Sequence, residues 1–291
     1  NLCLLGAAIR DIADVVILDA YKEDMSEKEF RQEIKSLKPD VVGITVLFDQ
    51  YASRGHLAAK LVKQVSRHIK TIMGGVYATT NYNKVIADEN IDGCVVGEGE
   101  VLFSHILYSI IRGDFKKGVL TASRIYDLDS LPLPAYDLID FPKYANSAER
   151  KSVDSPRAFP FARVMTSRGC PMGCCFCQVE TISGANFRAR SPDNVLNEIQ
   201  WLKDTYGIRS LIFDDDNLLH DKGRATELFQ GMIDRGLNMP WLSIGLAVFK
   251  LDKNLIKLMR ASGCEYFSVA IESGTERVLK EIIRKPVNFA Y

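Results

Sequence analysis

Hydrophobic and polar positions along the first hundred residues switch between two periods. Val15–Asp19 (VVILD) is a short apolar run with β-branched residues, which predicts a buried strand. Ser26 and Glu29 make a capping-box pattern, and Phe30, Ile34 and Leu37 follow at helical spacing. Val41–Thr45 (VVGIT) predicts the next strand, and Leu57, Leu61, Val65 and Ile69 mark one face of the next helix. Thr71–Gly75 (TIMGG) and Gly93–Gly97 (GCVVG) each read as a strand end, and Val101–Arg112 as a helix stopped by Gly113. Alternation of strand and helix at this rhythm predicts a parallel, doubly wound sheet.

The pattern lapses over residues 114–160, where Leu131-Pro132-Leu133-Pro134 and prolines at 142, 156 and 160 predict a linker packed on the surface. It resumes with a strand at Arg163–Thr166. Ser191-Pro192 then suits an N-cap and first helical turn, with Val195, Ile199 and Leu202 on the buried face. Strands follow at Ser210–Asp214, Trp241–Val248 and Tyr266–Ile271. Helices are expected over 222–235, stopped by Gly236, around Leu255–Met259, stopped by Gly263, and after a second capping box, Ser273 to Glu276. Four βα units in succession point to a barrel rather than a second flat sheet, but four cannot close one. The expected organisation is a doubly wound α/β domain over 1–113, a linker over 114–160 and a partial βα barrel over 161–291. With Asn1 first and Tyr291 last, truncation is expected at both ends, and the fourth barrel strand is expected to stand as an exposed edge.

Lysine plus arginine balance aspartate plus glutamate at 37 each, which argues against a dedicated nucleic-acid binder. No apolar run reaches membrane-spanning length and no signal-peptide pattern is present, so no membrane partner is expected. Seven cysteines form an odd and clustered set. That is a poor disulfide framework and fits a reducing cytoplasm with metal or redox use.

Four of those cysteines fall in Thr166–Glu180, TSRGCPMGCCFCQVE, at positions 170, 174, 175 and 177. A zinc knuckle would need a second Cys pair or nearby histidines, yet Cys3, Cys94, Cys264 and all four histidines are scattered. A thioredoxin-like Cys-x-x-Cys would lack an upstream partner. Three thiolates spaced Cys-x3-Cys-x2-Cys on one loop after a strand leave one iron of a four-iron cluster without a protein ligand. With Arg168-Gly169-Cys170-Pro171 before it and Phe176 just ahead of the last cysteine, the motif resembles the radical S-adenosylmethionine (SAM) superfamily.

The resemblance implies that Cys170, Cys174 and Cys177 ligate a [4Fe–4S] cluster and that SAM chelates the fourth iron. Reductive cleavage would then yield a 5′-deoxyadenosyl radical. Cys175 is expected to be a bystander pointing away. Phe176 either packs against the adenine or is a core aromatic. Asp214 and Asp215 end the second barrel strand, where carboxylates face the active site of such barrels, and are expected near SAM or substrate; Asp216 is given no role. Glu272, in Ala270-Ile-Glu-Ser-Gly274, matches the family's "GIESG" motif and would contact SAM. Arg188 and Arg190 are either a solvated basic rim or contacts to the cofactor carboxylate.

A doubly wound sheet binds ligands beyond the carboxyl ends of its strands, here Thr45, Met73-Gly74-Gly75 and Gly97-Glu98-Gly99-Glu100. Those glycines either admit a large flat ligand or simply make tight turns. The succession DVVGIT, Gly-Gly, VVGEGE, LPLP and then the cysteine motif resembles the cobalamin-binding-domain (class B) radical SAM enzymes. The resemblance implies a Rossmann-type domain before a TIM-like radical SAM barrel, with Thr45, Gly74, Gly75 and Gly97 lining the corrinoid and Glu98 less firmly placed. Tyr77 stands where the family commonly has histidine, no histidine is assigned as an axial ligand, and none of the four has a site role. The implied reaction is cobalamin-dependent methylation of an unactivated carbon or phosphorus, on a small-molecule substrate, with flavodoxin or ferredoxin as electron donor. The alternatives are oxidative cyclisation or another rearrangement, with or without cobalamin, and a cluster-containing sensor or electron carrier.

Overall fold

In both four-stranded sheets every neighbouring pair of strands is parallel, as repeated βα alternation demands. A computed structural model describes residues 1–146, 155–156, 158–246 and 250–285. The chain forms two units, Asn1–Ile125 with Pro132–Ile139, and Tyr126–Leu131 with Asp140–Tyr291.

The first unit contains α1 (Leu2–Ile9), α2 (Glu27–Leu37), β1 (Val41–Thr45), α3 (Ala52–Val65), β2 (Lys70–Gly74), α4 (Val76–Thr80), α5 (Tyr82–Ile86), β3 (Gly93–Val96), α6 (Gly99–Arg112) and β4 (Gly118–Thr121). Its strands lie in the order β1-β2-β3-β4. Adjacent residues serve opposite faces. Ile72 and Val95 join Phe103, Ile106 and Leu107 of α6 on one side, while Met73 and Cys94 join Ala59, Tyr77 and Val85 on the other. Burial on both faces is why these strands read as continuous apolar runs. The expected caps are present. Ser26 Oγ accepts from Glu29 N at 3.3 Å, the Glu29 carboxylate accepts from Ser26 N at 2.9 Å, and Gly113 ends α6 at φ +75°.

Four expectations need correction here. Val15–Asp19 forms no regular element and pairs with no strand among the described residues, and Val16 is 63% exposed. An apolar run becomes a strand only where a neighbouring edge takes its hydrogen bonds. Helix α1 was not foreseen because LCLLGAAI has no polar position to mark a helical period. On α3 the buried residues are Gly55, Ala59, Leu61 and Val62; Leu57 is exposed and Ile69 lies beyond the helix. The proline-rich segment also carries β4, which pairs with β3 and completes the first sheet.

The second unit contains α7 (Phe141–Ala145), β5 (Phe161–Val164), β6 (Ser167–Arg168), α8 (Val179–Ile182), β7 (Arg188–Ala189), α9 (Pro192–Tyr206), β8 (Ser210–Phe213), α10 (Lys222–Asp234), β9 (Trp241–Leu246), α11 (Lys253–Ala261), β10 (Cys264–Val269) and a π-helical turn (Val278–Ile283). Its main sheet has the order β10-β9-β8-β5, so β10 stands at an edge, as expected of the fourth strand. Ser191 caps α9 by accepting from Asn194 N at 3.2 Å, and Val195, Ile199 and Leu202 are fully buried. Trp241 stacks on Phe229 at 5.1 Å between ring centroids, meets Phe213 edge-on at 5.2 Å, and donates its indole N–H to Ser262 Oγ at 3.1 Å. Of the Trp241–Val248 expectation, residues 247–249 lie outside the described residues. The second capping box does not form. Ser273 Oγ accepts from Thr275 N at 3.1 Å, a local turn, and Glu276 pairs with Lys280 instead.

Asp92, just before β3, fastens three elements of the first unit. Its carboxylate accepts from Lys63 Nζ at 2.5 Å and Thr71 N at 2.8 Å, and its N–H donates to Thr71 O at 2.8 Å. Burial alone would raise its pKa, but the Lys63 and Thr71 hydrogen bonds prevail and hold it below the usual carboxylate value. A lowered folded-state pKa stabilises above the unfolded pKa of about 3.9 and is lost as pH falls below it. Asp92→Ala should therefore lower the unfolding free energy at pH 7 by about 2 kcal/mol. The difference from the parent should shrink as pH falls below about 4 in urea titrations.

Candidate functional site

The three spaced cysteines lie on the loop between β6 and α8, whose neck is closed by antiparallel pairing of β6 with β7 (Ser167↔Ala189, Arg168↔Arg188). Inside the loop, Cys170 N donates to Gly184 O at 3.2 Å and Cys177 N to Cys174 O at 3.0 Å. Gly169 is left-handed at φ +85°, and a Cβ there would stand 2.3 Å from Asn186 O, so only glycine fits. Cys170 and Cys174 are half-buried, and Cys175 and Cys177 are exposed. Burial pushes the Cys174 thiol up, the Lys285 charge opposes this, and Cys177 and Cys170 push it further up. The three spaced thiols thus share one electrostatic neighbourhood.

Among the described residues no three His, Cys, Asp or Glu side chains converge as a single metal ion requires. A four-iron cluster makes a different demand, because each thiolate binds its own iron and the sulfurs stand apart around the cluster. Three thiols on one glycine-shaped loop fit that demand. Cys175 N is tied to Ile283 O at 3.1 Å and its thiol is exposed. Phe176 is 56% exposed, which rules out the core-aromatic alternative.

In the acidic turn after β8, Asp214 and Asp215, expected near SAM or substrate, both have partners within the protein. Asp214 makes a bidentate pair with Arg163 at 2.5 Å and is not a free carboxylate. Asp215 is buried, and accepts from Thr166 N at 3.2 Å, Thr166 Oγ1 at 2.7 Å and Ser167 Oγ. Burial pushes its pKa up, opposed by those donors and by the Arg224 charge. Asp216, given no role from the sequence, accepts from Gly169 N at 2.9 Å. Asn217 places Nδ2 at 3.7 Å from Cys170 Sγ. These residues hold the thiol loop from behind. Carboxylates at a strand end look alike in sequence whether they face a ligand or a neighbouring loop.

Arg224, a further buried residue that sequence reasoning missed, donates to Thr166 O at 2.9 Å and Arg190 O at 2.7 Å. Arg190 pairs with the buried Glu198 and bonds Asn194 Oδ1 at 2.6 Å, while Arg188 is buried and reaches Ser183 O at 2.7 Å. Neither arginine belongs to a solvated rim. Glu272 has a left-handed backbone at φ +67° and lies 3.4 Å from Lys285 Nζ, the same lysine whose charge acts on Cys174.

In the first unit, Thr45, Gly74, Gly75 and Gly97 all lie at carboxyl ends of strands. Gly75 at φ +92° would bring a Cβ within 2.8 Å of Thr45 Oγ1 and Val46 O, and Gly97 has φ +93°. The fold itself requires glycine at both. Gly74 is different: its backbone is ordinary and a Cβ would meet only Val95, at 3.7 Å. Leu47 and Phe48, which sequence reasoning did not single out, present 43% and 60% of their surface just beyond β1. Glu98 closes a loop by accepting from Ile125 N at 2.9 Å. Tyr77 is buried, its hydroxyl 3.1 Å from His56 Nε2, and His56 Nδ1 lies 2.7 Å from Asp88.

Removing Asp215 orphans several buried donors at about 1–3 kcal/mol each, so Asp215→Ala should lower the unfolding free energy by about 3 kcal/mol or more. Asp214→Ala removes a partly exposed pair and should cost under about 1 kcal/mol. Urea denaturation of both variants checks the contrast.

Comparison with known proteins agrees with this arrangement. Residues 1–107 match the B12 binding domain model and residues 164–290 the radical SAM superfamily model. The former is a domain of cobalamin proteins and the latter one that takes a [4Fe–4S] cluster and SAM. An uncharacterized methyltransferase of Pyrococcus horikoshii is 30% identical over 97% of this chain and 62% of its own length. Cytidylyl-2-hydroxyethylphosphonate methyltransferase of Streptomyces wedmorensis is 32% identical over 91% of this chain and 56% of its own. The chain therefore spans roughly three fifths of these relatives. The fold matches that of the radical SAM methyltransferase TsrM from Kitasatospora setae, with TM-score 0.71, 18% identity, 96% of this chain and 57% of that one. With a B12-binding domain ahead of a radical SAM domain, the chain belongs to the cobalamin-binding-domain radical SAM family.

Proposed function

We propose that this chain is the cobalamin-binding and radical-generating part of a methyltransferase acting on an unactivated carbon or phosphorus of a small-molecule substrate. The observation that carries the proposal is the loop after a parallel strand with three thiols at Cys-x3-Cys-x2-Cys spacing. Methyltransferase relatives at 30% and 32% identity support the reaction type, and one of them is named for a phosphonate substrate. When bound, the cluster and SAM supply a 5′-deoxyadenosyl radical, and cobalamin carries the methyl group.

The residues of this chain do the holding. Cys170, Cys174 and Cys177 take the cluster. Phe176, open beside the last ligand, suits an adenine face, and Glu272 suits a polar group of SAM. Thr45, Gly74, Gly75 and Gly97 form the corrinoid face. Asp215 and Asp216 keep the loop in shape, and Lys285 balances negative charge near Cys174. An electron donor of the flavodoxin or ferredoxin kind completes the system. All seven thiols are free, in keeping with a reducing cytoplasm, and no described helix is long and apolar enough to cross a membrane.

Anaerobic reconstitution followed by dithionite and SAM should yield 5′-deoxyadenosine by chromatography. Cys174→Ala should lose both iron and product, whereas Cys175→Ala should keep both. A loaded cluster that never cleaves SAM would point to a sensor or electron carrier.

Gly74 separates a corrinoid face from a plain turn, because its surroundings accept a side chain. Gly74→Val should keep its unfolding midpoint close to the parent's, while hydroxocobalamin retained through gel filtration falls at least tenfold. Equal retention in parent and variant would remove Gly74 from the site.

A further inference from the structure

We propose that Asn217 is a positioning residue for the iron–sulfur cluster, its side-chain amide donating to the Cys170 sulfur and thereby raising the cluster's reduction potential. This rests on the assignment of Cys170, Cys174 and Cys177 as ligands. Asn217 Nδ2 lies 3.7 Å from Cys170 Sγ, within reach of an N–H···S hydrogen bond. The oxygen end of the amide could not take this place, since it would set an acceptor against a thiolate.

Three features make the contact a built one. Asn217 is 4% exposed, so water does not compete for its amide. Its position is held on both sides: Asp215 and Asp216 before it grip Thr166, Ser167 and Gly169, and Leu218 and Leu219 after it are fully buried. The same carboxylates grip the loop that carries Cys170, so donor and sulfur belong to one braced assembly. Finally, Asn217 Oδ1 is buried with no hydrogen-bond partner among the described residues. A buried amide with one end unsatisfied is a poor stabilising residue, and leucine of similar shape would serve the core better. Its polar group is explained by what the other end does.

The chemistry follows from charge. A reduced cluster holds one more negative charge than the oxidised one, part of it on the ligand sulfurs. A fixed N–H dipole aimed at one sulfur stabilises the reduced form more, and hydrogen bonds to cluster sulfurs are a recognised determinant of potential. Asn217 thereby eases delivery of the electron on which SAM cleavage depends.

The test uses the full chain, reconstituted anaerobically, as parent, Asn217→Leu and Asn217→Asp. Iron content and the midpoint potential are measured, the latter by mediated titration read by electron paramagnetic resonance. The leucine variant keeps the shape without the donor, and the aspartate variant replaces donor by acceptor. Expected is unchanged iron content, with the reduced-to-oxidised ratio at fixed potential falling about tenfold in Asn217→Leu, equivalent to about 59 mV for one electron. Asn217→Asp should fall further. Should one variant fail to take up iron, the other decides. Parent-like potentials in loaded variants overturn the proposal, and so does loss of iron from both, which would make Asn217 a brace only. A parent that takes up no iron overturns the ligand assignment itself, a result distinct from either.

Discussion

A loop bearing four thiols in eight residues makes few hydrogen bonds of its own, and its shape depends on a buried carboxylate that follows the neighbouring strand. Asp215 receives Thr166 N, Thr166 Oγ1 and Ser167 Oγ at the point where the loop leaves β5. Asp216 takes Gly169 N one step further along. Burying a carboxylate is unfavourable by itself, and the convergence of several donors and a nearby guanidinium makes it tolerable. Arg224 then ties Thr166 O to Arg190 O, and Arg190 leans on Glu198 and Asn194. A chain of polar contacts thus runs from the cysteine loop into helices α9 and α10. Such a network suits a site whose ligand atoms must be held at fixed spacing, although Arg224 Nη1 has no partner among the described residues.

The first unit solves a different problem with backbone. Its strand ends, where the corrinoid is proposed to lie, are places where the chain turns sharply. At Gly75 and Gly97 the turn alone explains glycine through positive φ, whereas Gly74 sits in ordinary strand geometry where a Cβ would make only an ordinary contact with Val95. Tyr77 shows how an apparent site residue can belong to the core. It follows the paired glycines, yet its hydroxyl meets His56, whose other ring nitrogen meets Asp88, a satisfied buried polar group.

Much of the fold was readable because periodicity and caps agreed. Ser191-Pro192 with Val195, Ile199 and Leu202 defined α9 at several levels at once, and Ser26 with Glu29 did the same for α2. The failures occurred where local pattern carried no such agreement. LCLLGAAI is apolar throughout and hides a helix. VVILD has strand composition but finds no pairing edge among the described residues. GVLT, in a proline-rich stretch, becomes a strand because the edge of β3 offers it hydrogen bonds.

The sequence by itself determined the spacing of the thiols, on which the proposal that Cys170, Cys174 and Cys177 share one cluster rests. It also determined the glycine at 169, the capped helices and the order of the βα units. Only the tertiary structure decided what the acidic turn does. Asp214, Asp215, Asp216 and Asn217 are adjacent in the chain, yet they face Arg163, Thr166 with Ser167, Gly169 and Cys170 respectively. Those partners lie 47 to 51 positions away, brought close by the pairing of β5 with β8. A long-range contact of that kind leaves no local period to read, because it arises from which strands become neighbours.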